Sequence, residues 1–109
     1  MEEKQALDML GALSQETRLR VVRYLVQCGG QGASAGDVGK QVDATSSRAS
    51  FHLSALEHAG VISSERQSRS IIYSANLGNL GDLISFLLND CCNSHPAILA
   101  CCERENGSC

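Results

Sequence analysis

The sequence lacks several features that would place it in other classes of protein. It contains no tryptophan and one proline, and no apolar run approaches the roughly 20 residues of a membrane span. Its first residues, MEEKQALDML, are acidic and without the apolar core of a signal peptide, so we expect a cytoplasmic protein with no membrane partner. In that reducing compartment, six cysteines are better interpreted as thiols than as a disulfide framework.

Signs of catalysis are also missing. No candidate nucleophile has a recognisable general base, and the Cys-x-x-Cys spacing common in thiol oxidoreductases does not occur. We therefore do not expect an enzyme. The net charge of −3 is unevenly spread, because residues 18–73 carry seven Lys or Arg against four Asp or Glu while both ends are acidic. A local basic face of this kind can bind phosphate.

Apolar spacing predicts four helices ahead of a β-ribbon, over residues 3–13, 14–28, 34–42 and 45–58. Val61-Ile62 and Ile71-Ile72-Tyr73 predict two short strands around a polar tip at 66–70. An apolar stripe from Leu77 to Cys91 then predicts a last helix, which Pro96 forces to end near residues 92–94. This order is typical of a mainly α winged helix-turn-helix, with four helices, a two-stranded wing and a C-terminal dimerisation helix. We expect one domain over residues 1–92 and a flexible, cysteine-rich tail over 93–109.

The fourth predicted helix and the ribbon tip carry the residues expected to contact DNA. Small hydroxyls at the helix start let the backbone approach a groove, and Arg48 can pair with guanine or phosphate. The predicted DNA-binding residues are Thr45, Ser46, Ser47, Arg48, Ser50, His52, Arg66 and Arg69, with Lys40 as a further candidate. The alternatives are that the hydroxyl cluster only caps the helix, that His52 is a helix contact, and that the tip is a solvated hairpin.

The stretch NDCCNSHPAILACC, residues 89–102, holds two adjacent thiols at each end. Soft thiolates favour thiophilic ions, and trivalent arsenic or antimony forms three bonds that suit three thiolates. Cys91 and Cys92 can supply two of them, and Cys101, Cys102 or Cys109 the third, with Cys102 slightly favoured. Zinc would take four thiolates, or three and His95, but structural zinc sites usually space their paired cysteines by two to four residues. A thiol redox switch also stays open. We expect Cys28 to be inert, and His95 to be a loop or helix-end residue.

Three segments of the chain resemble the ArsR/SmtB repressors. LSQETRLRVVRYL resembles a helix of that family, TSSRASFHLSALEHAGVI its recognition helix, and ERQSRSIIYSAN its wing. The wing lacks the usual glycine at 68–70, and the metal-responsive ELCVCDL box of the family is absent. The resemblance spans residues 6–92 and implies a homodimeric repressor of operator DNA.

The terminal CCNSHPAILACC resembles the arsenic sensors of the same family, which carry a vicinal cysteine pair and a further cysteine after a His-Pro loop. That resemblance implies release from DNA by trivalent arsenic or antimony. The alternatives are a repressor that responds to zinc, cadmium or thiol oxidation, and a cysteine-rich metalloid-binding protein without operator control.

Overall fold

The computed structural model describes residues 1–102, with side chains described through Cys101. The elements along the chain are α1 (Glu3–Leu13), α2 (Glu16–Cys28), β1 (Ala33–Ser34), α3 (Ala35–Gln41), α4 (Ser46–His58), β2 (Ile62–Gln67), β3 (Ser70–Ala75), α5 (Leu77–Phe86) and α6 (Pro96–Cys102). A 3₁₀ turn at Gly29–Gln31 follows α2, and a π-helical turn at Leu87–Cys91 continues α5. The predicted winged helix-turn-helix is confirmed, and the predicted bounds of α1 and α4 agree closely.

The core lies where α1, α2, α3 and α4 meet the base of the sheet. Its fully buried large side chains are Met9, Val21, Leu25, Val38, Leu53, Leu56, Val61 and Ile62. In α1 the buried stripe is Ala6, Met9 and Ala12. Helical spacing in the sequence also places Leu7, Leu10 and Leu13 on one side of α1, but Leu7 is 61% exposed and Leu10 is 38% exposed. Two neighbouring stripes of this helix are apolar, so spacing alone does not choose which of them faces the core.

Polar side chains set the helix starts. Small hydroxyl residues are favoured as helix caps, so the sequence predicts Ser14 as the cap of α2 and Ser34 as the cap of α3. The Ser34 hydroxyl accepts from Asp37 N at 3.2 Å and begins α3 as predicted. The prediction for α2 is wrong by one residue, because the Gln15 side chain accepts from Arg18 N at 2.8 Å. Ser14 instead donates its hydroxyl to Gly11 O at 2.8 Å and closes α1. A Gln at this position is an uncommon cap, which explains why the preference for Ser misled the prediction.

The sheet within the described residues has three strands in the order β1-β3-β2, so the two-stranded ribbon of the prediction gains a strand. Strand β1 pairs antiparallel with β3 through Ala33↔Tyr73 and Ser34↔Ile72. A two-residue strand is too short to show the alternation by which strands are recognised in a sequence. The β2–β3 hairpin is paired from Ile62↔Ala75 to Gln67↔Ser70, and Ser68 at the tip adopts φ 56° in place of the glycine common in such turns.

The chain after α5 forms a reverse turn and a short helix, which the sequence analysis did not predict. Asn93 and Ser94 both adopt positive φ, 51° and 50°, and reverse the chain. Ser94 is held by its hydroxyl, which donates to Asn89 Oδ1 at 2.9 Å. His95 then begins α6, because its Nδ1 accepts from Ala97 N at 3.1 Å. Residues 96–102 are therefore helical, and the predicted role of His95 as a helix-end residue agrees with this contact. Residues 103–109 of the predicted tail lie outside the described part.

Gly32 is the backbone position on which the third strand depends. Its φ is +63°, and a Cβ here would overlap Tyr73 O and lie 2.8 Å from Ile72 Cγ2. We expect Gly32→Ala to lower the free energy of unfolding by at least about 1–3 kcal/mol, from the strained backbone conformation alone. Thermal or urea denaturation measures this loss. Gly30→Ala is the matched control, because nothing lies within 4 Å of a Cβ there. Equal losses in the two variants would contradict the close approach of β1 to β3.

Candidate nucleic-acid interface and thiol cluster

Helices α3 and α4 form the helix-turn-helix, and a glycine lets them approach. A Cβ at Gly39 would lie 2.9 Å from Ala44 O and 3.5 Å from Ala49 Cβ. Ala44 N donates to Gly39 O at 2.8 Å, which fixes the turn, and Asp43 within it adopts φ 55°. Ala49 is fully buried against α3. The direction of α4 relative to α3 is therefore set by direct backbone contact.

The first turns of α4 project polar groups outward. Ser46, Ser47, Arg48 and Ser50 are all exposed. The Thr45 hydroxyl accepts from Arg48 N at 3.3 Å, so this residue acts as the helix cap that the sequence allowed as an alternative. An exposed helix N-terminus with small hydroxyls and one guanidinium offers donors for phosphate oxygens and base edges.

His52 lies mostly beneath this surface. It is buried, 8% exposed, and its Nδ1 accepts from Arg18 Nε at 3.2 Å. Burial lowers the pKa of His52, and the positive charges of Arg18 and Arg48 lower it further. The ring therefore joins α2 to α4 as a neutral acceptor. His52 thus makes the contact between helices that the sequence left open as the alternative, and its contact with DNA stays a prediction.

Phe51 is a surface residue that the sequence interpretation placed at the border of the apolar face. Its side chain is 66% exposed, and the guanidinium carbon of Arg18 lies 5.7 Å from its ring centre. Two residues correspond to about 200° of rotation in an α-helix, so a ring two residues before the buried Leu53 must point away from the core. That spacing is the signal that could have identified it.

The wing carries its two predicted cations on exposed positions. Arg66 pairs with Ile71 in the hairpin register, and Arg69 lies in the turn. The described part of the chain holds two ion pairs, Lys4–Asp8 and Arg20–Glu16, and neither involves these arginines. The Ser64 hydroxyl donates to the Glu57 carboxylate, which connects the wing to the end of α4. The wing thus presents positive charge beside the recognition helix.

The structure brings two of the predicted sulfur ligands together. Cys91 is exposed and Cys92 is half-buried, and the two residues follow one another at the end of the π turn. Burial raises the pKa of Cys92, and the neighbouring Cys91 thiol raises it further. Cys101 is half-buried near the end of α6. Among the side chains described, no three His, Cys, Asp or Glu groups gather to hold a metal ion. The Cys102 side chain and Cys109 lie outside the described part.

Cys28 lies apart from this cluster, at the end of α2. It is half-buried and packs against the core. A hydrogen bond with Cys28 raises the pKa of Tyr24, with burial and the charges of Cys28 and Asp37 adding to the effect. This contact with a neighbouring turn of the same helix is consistent with the inert role expected from the sequence.

Comparison with known proteins agrees with the fold. A family model described as a helix-turn-helix domain matches residues 13–65. The transcriptional repressor SdpR of Bacillus subtilis (strain 168) is 35% identical over 78 residues, which cover 72% of this chain and 83% of that protein. An ArsR-like transcriptional regulator from Rhodococcus sp. RHA1 has a TM-score of 0.73 at 23% identity, covering 92% of each chain. The homodimeric winged helix-turn-helix domain of Mb0332 from Mycobacterium bovis, described as a possible ArsR-family regulator, has a TM-score of 0.63 at 19% identity and covers 85% of this chain and 86% of that one.

The fold, the exposed start of α4 and the cationic wing define a DNA-binding winged helix-turn-helix protein, which is a regulator of transcription and not an enzyme. The chain belongs to the ArsR family of these regulators. Over residues 1–102, no helix is both long and apolar enough to cross a bilayer.

The wing arginines give a test of DNA contact by salt dependence. When the logarithm of the DNA-binding constant is plotted against the logarithm of the salt concentration, the slope is about −0.9 for each phosphate that the protein neutralises. Replacing Arg66 and Arg69 by Ala should therefore weaken binding to every sequence and flatten the slope by roughly 2 per wing, as measured by fluorescence anisotropy. Arg20→Ala is the control, because Glu16 at 2.7 Å already neutralises that guanidinium. An unaltered slope in the double variant would exclude the wing from the interface.

Proposed function

We propose that the protein is a cytoplasmic, homodimeric repressor that leaves its operator when trivalent arsenic or antimony binds three cysteine thiols. The observation that carries this proposal is the position of the adjacent thiols Cys91 and Cys92 at the end of the α5 segment, whose apolar face is open. In that arrangement, a thiophilic ligand would bind next to the surface through which two copies associate. The DNA contacts of each copy would come from Thr45, Ser46, Ser47, Arg48, Ser50, Arg66 and Arg69.

Exposed leucine and isoleucine side chains on α1 and α5 support the dimer. Leu7 and Leu10 on α1, and Leu77 and Ile84 on α5, are between 38% and 63% exposed. Helices α1 and α5 pack on one another, so these side chains belong to one neighbouring pair of helices. The Mycobacterium bovis relative is homodimeric. A two-fold dimer would set two copies of α4 on half-sites about 34 Å apart, one turn of DNA.

Charge placed on this face should separate the subunits. The double change Leu7→Glu with Ile84→Glu puts carboxylates where the partner would bury them, so we expect light scattering at micromolar concentration to give the mass of one chain in place of two. DNA affinity should fall with it, because one half-site is lost. Ile71→Glu on the wing, where Ile71 is 48% exposed, is the control for mass. If light scattering gave the mass of one chain for the wild-type protein, the proposed dimer would be wrong.

Arsenite chemistry suits the thiol pair. As(OH)₃ exchanges its three hydroxyls for three thiols and releases three waters, so each As–O bond is replaced by an As–S bond without an oxidant. Cys91 and Cys92 would supply two sulfurs. The third would come from Cys102, Cys101 or Cys109, of the same or the partner subunit.

Binding at this point would be coupled to DNA through the helix that ends there. Cys91 closes the π turn that continues α5, so a ligand on it would act on the segment that spaces the two DNA-binding units. The coupling is reciprocal, and in allosteric proteins it is typically about 1–3 kcal/mol, or 5- to 150-fold in DNA affinity.

Gel shifts with and without arsenite test the proposal. Wild-type protein should lose operator binding by about 5- to 150-fold when arsenite is added. Cys91→Ser and Cys92→Ser should each bind the operator normally and resist release, because two thiols cannot complete the three bonds. Cys28→Ser is the matched control and should still be released.

Four other outcomes would redirect the proposal. Release of the Cys91→Ser/Cys92→Ser double variant by arsenite would place the sensor elsewhere. Release of the wild type by zinc and not by arsenite would favour a tetrahedral site, and release by peroxide alone would favour a thiol redox switch. Arsenite binding without any operator would leave a metalloid-binding protein.

A further inference from the structure

The outward face of the recognition helix consists of serines around a single aromatic ring. Helix α4 buries Ala49, His52, Leu53 and Leu56. The residues on the opposite side, at the helical spacing i, i+3, i+4 and i+7, are Ser47, Ser50, Phe51 and Ser54, and all four are exposed. Beside three short hydroxymethyl groups, the phenyl ring is the group that extends furthest from this face.

The ring is held in place from one side. The Arg18 guanidinium carbon lies 5.7 Å from the ring centre, and its Nε is committed to His52 Nδ1 at 3.2 Å. The His52 ring meets Phe51 edge-on, with 5.7 Å between ring centres and 68° between planes. A cation over the ring and an edge contact both restrict its rotation. Phe51 is therefore supported by α2 while 66% of its side chain stays in water.

Isolated exposed apolar residues are ordinary on protein surfaces, so exposure alone assigns nothing to Phe51. The position of Phe51 does indicate a role. Ser47, Arg48, Phe51 and His52 border one depression of about 280 Å³ on α4. This is the helix that the winged helix-turn-helix fold inserts into the major groove. An apolar ring carried into that groove meets base edges that are polar except at one kind of group, the C5-methyl of thymine.

We propose that Phe51 reads a thymine methyl in each half-site of the operator, with Arg18 and His52 as positioning residues behind the ring. This inference rests on the DNA-binding role of α4. The neighbouring serine hydroxyls can donate to or accept from any base, whereas apolar contact with a methyl selects thymine over cytosine and over both purines. One base of each half-site would thus be specified by an aromatic residue.

Deoxyuridine gives a direct test, since it pairs like thymidine and lacks only the methyl. The operator is first selected by the wild-type full-length protein from a random duplex pool, and each thymine of a half-site is then replaced by deoxyuridine. Affinity is measured by fluorescence anisotropy at one fixed salt concentration. For wild type, we expect one replacement per half-site to weaken binding about fourfold, the effect of losing one buried methyl group, and the other replacements to have little effect.

Variants connect that position to Phe51. Phe51→Ala should bind the thymine operator less tightly and should bind the thymine and uracil duplexes equally. Phe51→Leu should retain part of the discrimination, which protects the test if the alanine variant folds poorly. Leu19→Ala removes an aliphatic side chain that is 49% exposed on α2 and should keep the full fourfold difference.

The outcomes separate this inference from the broader role of the protein. Wild type that selects an operator but is indifferent to every methyl, or Phe51→Ala that still discriminates, would overturn the methyl contact and leave DNA binding intact. A half-site without thymine would do the same. Wild type that enriches no sequence would overturn both.

Discussion

Burial of one stripe of α4 is the constraint on which the remaining structure depends. Ala49, Leu53 and Leu56 lose all contact with water, and together they commit one side of a 13-residue helix to the core. The opposite side of α4 must then face the solvent, and no separate interaction is needed to keep it exposed. Gly39 sets the distance between α3 and α4. Because it has no side chain, α3 can approach the turn before α4 to backbone contact. Folding and the presentation of the DNA-binding face are thus one event.

The wing depends on the same helix through different chemistry. Its backbone is fixed by pairing with β1, which Gly32 permits, and its base is fixed by the buried Ile62. Tyr73 of β3 also packs against the core, whereas the ribbon from Glu65 to Ile71 is exposed. The hydrogen bond from Ser64 to Glu57 connects the ribbon to the end of α4. A rigid helix beside a less supported ribbon suits binding that is specific in the groove and adaptable at the backbone.

Elements with long, regular patterns were predictable from the sequence, and contacts between elements were not. The stripe of α4 and the cap at Thr45 follow from local spacing and hydroxyl chemistry. The role of His52 does not, because its partner, Arg18, is 34 residues away in the chain. Helix α6 was missed because Pro96, which ends one helix, is also well suited to the first position of the next. The proximity of the Cys91 and Cys92 thiols was predictable because the two residues are adjacent in the sequence. The identity of a third sulfur ligand was not, because it depends on how residues 93–102 turn.

The π turn at Leu87–Cys91 has a mechanical consequence. Cys92 N donates to Leu87 O at 2.9 Å, five residues back, so this turn contains one residue more than an α-helical turn would hold. If the extra residue moved along the helix, the residues between its old and new positions would rotate by about 100° and shift by about 1.5 Å, while the helix stayed continuous. The two adjacent thiols lie at the end of that turn and directly after it. A ligand bound to both sulfurs would therefore change the register of the residues along the helix, and it would not bend the helix at a hinge.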